Sequence, residues 1–361
     1  MRLRPAIMGW AVLLMLLTGC TNLGPRSLEA GRADYNIALR DTADEQLLSN
    51  LVRLRYRDRP YFLEVASVTT QFKYAPSVSG NFAVEGPRID DDFGVGVEGL
   101  YEETPTIAYT PLQGDAFARR LLTPVSIESL VLLSNSGWSG GRLLRLCVQR
   151  LNDVPNAVTA SGPTPELAPD FERFSALAAA MRTLQLRDQI TFGAIRGEEG
   201  IQLALLITNG GEGTAEYREM TTMLGLAPGL RVYRLENALR YGRDDTVNVQ
   251  TRSLNGVLYF LSHAVEVPPE HIERGWVTRT RTPSGADFDW HAITDDLLTI
   301  RASRSRPEHA AVMTRYRDHW FWIADDDLGS KSTFSLLTQL FALQAGSADG
   351  ATPVLTLPIG G

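Results

Sequence analysis

The sequence predicts an α+β fold with interspersed helices and antiparallel strands. Segments with apolar residues at helical spacing alternate with segments rich in branched and aromatic residues, and no repeat of about 20–50 residues is present. The chain has 361 residues, 44% of them hydrophobic and 21% charged, which excludes a collagen-like or wholly disordered protein. Its net charge of −7 indicates no general basic surface, so we expect no nucleic-acid partner.

The N-terminal segment has the pattern of a secretory signal. Arg2 and Arg4 precede an apolar run at residues 8–17, which is too short to cross a bilayer as a helix. The run ends in the string Leu17-Thr18-Gly19-Cys20, which resembles the lipobox of bacterial lipoproteins. In that family the cysteine thiol is diacylated, the signal is cleaved before the cysteine, and the freed amine is acylated. The resemblance therefore implies a signal peptide at residues 1–19 and lipidation of Cys20.

The same resemblance implies a location. Two or three acyl chains hold a protein stably to a membrane, so the membrane is the first expected partner. The residue after the cysteine is Thr21 and not Asp, which by similarity to the Gram-negative sorting rule favours the cell outer membrane, on its periplasmic face. Cys147 is the second of two cysteines, and we expect it to be a buried core residue without an intramolecular disulfide.

The first segments of the mature chain are a tether and a helix. Gly24, Pro25 and Gly31 disfavour regular structure, so residues 20–31 are expected to form an irregular lipidated tether. Thr42-Ala43-Asp44-Glu45 matches the capping box that begins a helix, and Pro60 is expected to end that helix. Its core side is predicted from apolar residues at helical spacing: Leu47, Leu48, Leu51 and Leu54.

The central segments predict strands, then helices, then a long loop. Residues 61–109 are rich in β-forming residues, and residues 114–152 return to helical spacing. Residues 153–170 contain four prolines and are expected to form a long loop or a boundary. This boundary divides an N-terminal α+β part at residues 32–152 from a C-terminal α+β part at residues 171–361, although the two can also form one domain.

The C-terminal part shows the clearest elements. Helices are predicted at residues 171–186, 215–224 and 253–265, and strands at residues 190–195, 201–207 and 230–235. Near the end, residues 310–316 and 319–323 predict a β-hairpin joined by Arg317-Asp318. A helix is predicted to follow from about Ser330.

Two strings are similar to segments of a family of uncharacterised proteobacterial lipoproteins. One is residues 45–56, EQLLSNLVRLRY, and the other spans residues 318–334 and includes DHWFWIADD and SKSTF. The resemblance would cover nearly the whole mature chain. It implies the same lipoprotein location and brings no activity.

A serine motif suggests one catalytic alternative. Gly137-Trp138-Ser139-Gly140-Gly141 matches G-x-S-x-G, in which a serine nucleophile lies on a strand-to-helix turn beside a histidine. An envelope serine hydrolase using Ser139 is therefore the runner-up function. Its base would be one of four residues, namely His263, His291, His309 or His319. We favour a helix–turn–helix in which Ser139 caps the second helix, because the βαβ alternation of a hydrolase sheet is missing before it.

Other patterns predict neither a cofactor nor a metal. Residues 94–99 match G-x-G-x-x-G, but prolines and β-forming residues follow where a dinucleotide site needs a helix, so a bent strand or loop is favoured. Asp90-Asp91-Asp92 and Asp325-Asp326-Asp327 lack the spacing of a calcium loop and are expected to be solvated turns. The five histidines lack zinc-ligand spacing, so we expect packing or edge positions for them.

The remaining feature is a pair of tryptophans on the last strand. Trp320 and Trp322 alternate with Phe321 and Ile323, so each pair occupies one face. An exposed pair would favour a glycan- or peptidoglycan-binding module, whereas we expect the pair to pack on the helix that follows. The function predicted from the sequence is therefore a non-catalytic assembly, scaffold or envelope-maintenance role, with a protein partner in the cell envelope.

Overall fold

The computed structural model describes residues 23–81, 94–197, 200–237 and 243–345. The chain divides into two compact units: unit 1 is Met1–Pro60 with Gly114–Gly346, and unit 2 is Tyr61–Gln113 with Ser347–Gly361. Helices and antiparallel strands are interspersed along the described residues, so the predicted α+β class is confirmed. The lipobox, Cys20 and Asp90-Asp91-Asp92 lie outside the described residues, so their predictions stay as they are.

In unit 2, two long strands form one antiparallel pair. Strand β1 (Leu63–Asn81) pairs with β2 (Gly94–Pro111) from Leu63↔Pro111 to Asn81↔Gly94, with a register shift between Val65 and Ser67. The glycines of the G-x-G-x-x-G string therefore lie inside a strand, as the sequence favoured. The glycines and Pro105 continue the pairing along β2 instead of ending it.

Unit 1 begins with one long helix, α1 (Leu23–Arg55). The expected irregular tether at residues 20–31 is therefore wrong from Leu23 onward, and the expected cap at Thr42 is also wrong. Thr42 lies inside the helix, where its hydroxyl donates to the Ala38 carbonyl at 2.7 Å. A proline is tolerated in the first turn of a helix, so Pro25 does not prevent this start. The predicted core leucines at positions 47, 48, 51 and 54 are all buried.

Three short helices and a six-stranded sheet follow. The helices are α2 (Asp115–Leu122), α3 (Ile127–Asn135) and α4 (Gly140–Cys147). The strands are β3 (Val148–Leu151), β4 (Val154–Pro155), β5 (Ile190–Gly197), β6 (Gly200–Ile207), β7 (Val232–Glu236) and β8 (Thr246–Thr251). Their order is β4-β3-β8-β7-β6-β5, and every pair except β7–β8 is antiparallel. Helical spacing was expected through residue 152, but residues 148–151 pair with β8 and form β3.

The segment at residues 153–170 is irregular, as expected, apart from β4 and a single 3₁₀ turn at Val158–Ser161. It lies inside unit 1, which includes residues on both sides of it. The separate unit is Tyr61–Gln113 with Ser347–Gly361.

The remaining helices confirm several sequence-based predictions. They are α5 (Glu172–Leu186), α6 (Ala215–Leu224), α7 (Leu254–Ser262), α8 (Pro269–Glu273) and α9 (His291–Thr294). The predicted hairpin is present as β10 (Ala310–Tyr316) and β11 (His319–Ala324), and β9 (Arg301–Ser303) adds to the other edge of β11. The last helix, α10 (Leu328–Ala345), begins two residues before the predicted start.

A fully buried arginine closes the C-terminal end of α4. The guanidinium of Arg252 donates to the carbonyls of Arg145, Leu146 and Val148 at 2.9–3.0 Å, and also to the Asn156 carbonyl. A cation is favoured at the C-terminus of a helix, where carbonyl groups lack partners within the helix. Burial lowers the pKa of Arg252 to about 9. The buried positive charge of Arg252 is therefore stabilised by carbonyl groups and not by a carboxylate.

Candidate functional site

Ser139, the candidate nucleophile, is a helix cap. It precedes α4 with an extended backbone, and its hydroxyl accepts a hydrogen bond from the Arg142 amide at 3.5 Å. A helix, α3, and not a strand, comes before it, and Gly137 makes the turn between the two helices with φ of 95°. No histidine contacts Ser139 among the described residues. The favoured helix–turn–helix is thus confirmed, and the geometry does not support a nucleophile elbow.

Two other groups considered from the sequence are also structural. Cys147 is fully buried, as expected, and burial raises the pKa of its thiol to about 12. His263 is buried and stacks on Trp290 with ring centres 3.8 Å apart. Burial, with a smaller contribution from the nearby cations Arg55 and Arg252, lowers the pKa of His263 to about 3. A neutral, packed imidazole is the role expected for it.

The carboxylates of the acidic turn before the last helix also have partners within the protein. Asp325 pairs with Lys331 at 2.6 Å, and Asp327 accepts hydrogen bonds from the amide and hydroxyl of Ser330 at 2.9 and 2.6 Å. These contacts cap α10, as a carboxylate at a helix N-terminus does. Across the residues that the structure describes, no group of His, Cys, Asp and Glu side chains has an arrangement suited to a metal ion.

The tryptophan pair does not pack as expected. Phe321 and Ile323 are fully buried, whereas Trp320 and Trp322 on the other face of β11 are only half-buried. The expectation that the tryptophans pack on the following helix is wrong, since alternation along the strand directs the Phe321 face to the core. The Arg306 guanidinium lies 5.6 Å from the Trp320 ring centre.

The most distinctive polar site in unit 1 is a recess that we call the arginine basin. It has a volume of about 550 Å³ and mixes cationic, acidic and aromatic side chains. Its lining residues are Glu270, His271, Arg274, Trp276, Arg304, Arg317, Asp318 and His319. The volume lies within the range of about 300–1,000 Å³ that is usual for small-molecule sites.

A helix end forms one wall of the arginine basin. Gly275 adopts φ of 69° after α8, the Gly275 amide donates to Ile272, and the Trp276 amide donates to the His271 carbonyl at 3.0 Å. This double hydrogen bond is the Schellman ending of a helix, which favours glycine at the left-handed position. The turn brings the Trp276 ring close to the His271 ring, with ring centres 4.8 Å apart. Arg274 belongs to the same turn.

The β10–β11 turn forms the opposite wall. Arg317 and Asp318 both have positive φ, at 46° and 62°, in a two-residue turn where asparagine and glycine are preferred. The Arg317 side chain is held by Asp58 at 3.1 Å and by the Tyr316 hydroxyl at 3.1 Å. Its guanidinium also lies 4.8 Å from the Trp276 ring centre. These contacts offset the cost of a left-handed backbone at a non-glycine residue.

Two buried histidines lie at the floor of the arginine basin. His271 and His319 are 2% and 6% exposed, and their ring centres are 4.7 Å apart. His271 Nδ1 lies 2.7 Å from the Tyr56 hydroxyl, and His319 Nε2 lies 3.1 Å from Glu270 Oε1. Burial lowers the pKa of His271, and the neighbouring His319, Arg317 and Arg274 contribute in the same direction. His271 is therefore neutral at physiological pH.

The carboxylate of Glu270 is shared by two partners. Arg304 Nη2 lies 2.7 Å from Glu270 Oε1, the same oxygen that faces His319. The hydrogen bond from Arg304 lowers the pKa of Glu270 to about 2. Glu270 is therefore ionised throughout the physiological range and orients both Arg304 and His319.

Arg274 differs from the other two arginines. Its guanidinium lies 4.8 Å from the Trp276 ring centre, and it has no carboxylate partner or side-chain hydrogen bond among the described residues. Arg304 and Arg317 each have one carboxylate partner, Glu270 and Asp58 respectively. The exposed Asp318 faces Arg315 at 3.4 Å. One positive charge at the mouth of the arginine basin is thus uncompensated by the ion pairs around it.

The sequence did not indicate this site. Its members come from the end of α1, from residues 270–276 and from residues 304–319, so no local spacing connects them. Only the grouping of all five histidines in the last hundred residues was visible, and two of the five do meet here.

No helix in the described part of the chain is both long enough and apolar enough to span a membrane. No protein-family model, no curated protein sequence and no solved structure matches this chain.

Proposed function

We propose that this chain is a periplasmic lipoprotein anchored to the cell outer membrane through Cys20, with a non-catalytic assembly, scaffold or envelope-maintenance role. The observation that carries the anchoring is the string Leu17-Thr18-Gly19-Cys20 directly after a short apolar run with two preceding arginines. Acyl chains on one cysteine would make the folded body a tethered component that acts by binding.

The folded body supports a binding role. The hydroxyl of Ser139 caps a helix, the thiol of Cys147 is buried, and neither is beside a histidine base in the described residues. The arginine basin instead combines three arginines, two of them fixed by ion pairs, with a half-buried tryptophan at an open recess. Such groups recognise anionic partners by charge-assisted hydrogen bonds and stacking.

Metabolic labelling tests the anchoring. Cells that express the full chain are grown with radioactive palmitate and then fractionated into soluble, inner-membrane and outer-membrane material. We expect label on the wild-type protein in the outer-membrane fraction and no label on Cys20→Ser. The matched control, Cys147→Ser, should keep both label and location, since Cys147 is buried in the core. Label on the Cys20→Ser protein would contradict the proposal.

Crosslinking tests the binding role. A formaldehyde crosslink of the membrane fraction should recover the wild-type protein with a specific envelope protein, and Arg274→Gln should reduce that product. Recovery of an equal product from both proteins would show that the arginine basin does not contact the partner.

A second candidate function follows from the half-buried tryptophan face. Trp320 and Trp322 are partly exposed on the outer face of the three-stranded sheet, and partly exposed aromatic rings bind sugars by stacking. If this face binds peptidoglycan, Trp322→Ala should lower the amount of full-length protein that sediments with purified sacculi. Equal sedimentation of the variant and the wild-type protein would exclude this candidate.

A further inference from the structure

We propose that the arginine basin binds a phosphate group, as inorganic phosphate or as a phosphate monoester. This inference names the ligand class of the binding role proposed above and rests on it. It does not depend on the lipid anchor, because every residue involved belongs to the described part of unit 1.

The first argument is the count and state of the donors. Arg304 uses Nε and Nη2 for Glu270, and Arg317 uses Nε and Nη2 for Tyr316 and Asp58. Nη1 of both residues has no hydrogen-bond partner among the described residues, and the whole guanidinium of Arg274 is likewise available. Each of the three arginines therefore retains N–H donors that a phosphate oxygen can accept.

The second argument is the orientation of His271. Its Nδ1 is bound to the Tyr56 hydroxyl, and burial raises the pKa of Tyr56, so the hydroxyl stays protonated and can donate. With Tyr56 as donor to Nδ1, the single proton of the neutral imidazole lies on Nε2. His271 lines the basin, and Nε2 has no hydrogen-bond partner among the described residues. In this tautomer, the nearly buried ring that lines the recess has one N–H donor available to a ligand.

The third argument is electrostatic. Arg274 and Arg317 both lie 4.8 Å from the centre of the Trp276 ring, so two guanidinium groups converge on one indole. Asp58 compensates Arg317, but no carboxylate compensates Arg274 among the described residues. Like charges that line one recess repel each other, and a bound anion would relieve that repulsion. A phosphate group also offers more acceptor oxygens to the N–H donors of the basin than a carboxylate does.

The arrangement also argues for binding without hydrolysis. Glu270 Oε1 is bound to both Arg304 and His319, which keeps this carboxylate from acting as a free base. The hydroxyls at the site belong to Tyr56 and Tyr316, and each already contacts a partner, His271 and Asp58 respectively. Bound phosphate would therefore be held in place and not transferred.

Calorimetric titration tests this inference. The full-length protein, purified in a phosphate-free detergent, is titrated separately with inorganic phosphate, glycerol 3-phosphate and acetate near neutral pH. We expect saturable binding of at least one phosphate-bearing probe and at least tenfold weaker binding of acetate. Arg274→Gln should weaken phosphate binding about tenfold, and Arg173→Gln, at an exposed position on α5, should leave it unchanged.

The outcomes separate the possible sources of the phosphate group. Equal binding of phosphate and glycerol 3-phosphate supports recognition of the group alone, and binding of glycerol 3-phosphate only supports an esterified ligand such as a lipid headgroup. Absence of binding of both, equal binding of acetate, or unchanged binding in Arg274→Gln would overturn the inference. The exposed position of Arg274 makes folding of the variant expected, and an unchanged thermal transition checks it. None of these failures would affect the palmitate result.

Discussion

Replacement of the buried arginine at the end of α4 gives the sharpest prediction about stability. Arg252→Met keeps an unbranched side chain of similar volume beside the Phe260 ring, which lies 4.0 Å from the guanidinium carbon. It removes the hydrogen bonds that the guanidinium donates to the carbonyls of α4 and of the following segment. The packing change is therefore small and the hydrogen-bonding change is large.

The magnitude follows from the acceptors that lose a donor. Asn156 Nδ2 also donates to the carbonyls of Arg145 and Val148, at 2.9 and 2.6 Å, so those two keep a partner. The carbonyls of Leu146 and Asn156 lose the hydrogen bond from Arg252 inside the protein. Each buried unsatisfied carbonyl costs about 1–3 kcal/mol, so we expect the two together to lower the free energy of unfolding by about 2–6 kcal/mol.

Urea unfolding at neutral pH measures this loss. Arg279→Met, at an exposed position in the same unit, is the matched control and should change the free energy of unfolding by about 0.5 kcal/mol or less. A loss below about 1 kcal/mol in Arg252→Met would refute the account of the buried arginine, because removal of its charge would then offset the lost hydrogen bonds.

The other predictions concern His263 and Ser139. The unfolded state binds a proton at His263 near pH 6.5 while the folded state does so only near pH 3, so the wild-type protein loses stability as the pH falls through this window. His263→Phe keeps the stack on Trp290 but cannot be protonated. Between neutral pH and about pH 4, its free energy of unfolding in urea should therefore fall by roughly 3 kcal/mol less than that of the wild-type protein. Parallel pH profiles of the two proteins would contradict this. In thermal unfolding, Ser139→Ala should lower the stability of the protein by about 0.5–1 kcal/mol. Ser139→Asp should keep the wild-type stability, because either Ser or Asp caps a helix. A serine nucleophile would instead lose an esterase activity in both variants.

Local patterns predicted most of the elements of unit 1. The alternation around Arg317-Asp318 predicted the β10–β11 hairpin, and the leucines at positions 47–54 predicted the buried side of α1. The capping box at Thr42 failed for a physical reason. A capping motif is favourable only where a helix begins, and here the helix continues through it, so the hydroxyl binds the Ala38 carbonyl instead.

The arginine basin could not be predicted in the same way. Tyr56 and His271 meet across 215 positions, and Asp58 and Arg317 across 259, so their contacts depend on the whole fold. The turn at Arg317-Asp318 also lacks the glycine that marks such turns, since contacts of the Arg317 side chain stabilise its left-handed backbone. Residues that violate a local preference in this way are frequent at functional sites.

The most direct measurement is the mass of the N-terminal tryptic peptide of the protein extracted from membranes. The proposed anchoring predicts a peptide of residues 20–26 that begins at Cys20 and carries a diacylglyceryl group on sulfur and a third acyl chain on nitrogen. A peptide that retains residues from the apolar run at 8–17, or one that begins at an unmodified cysteine, would contradict the anchoring.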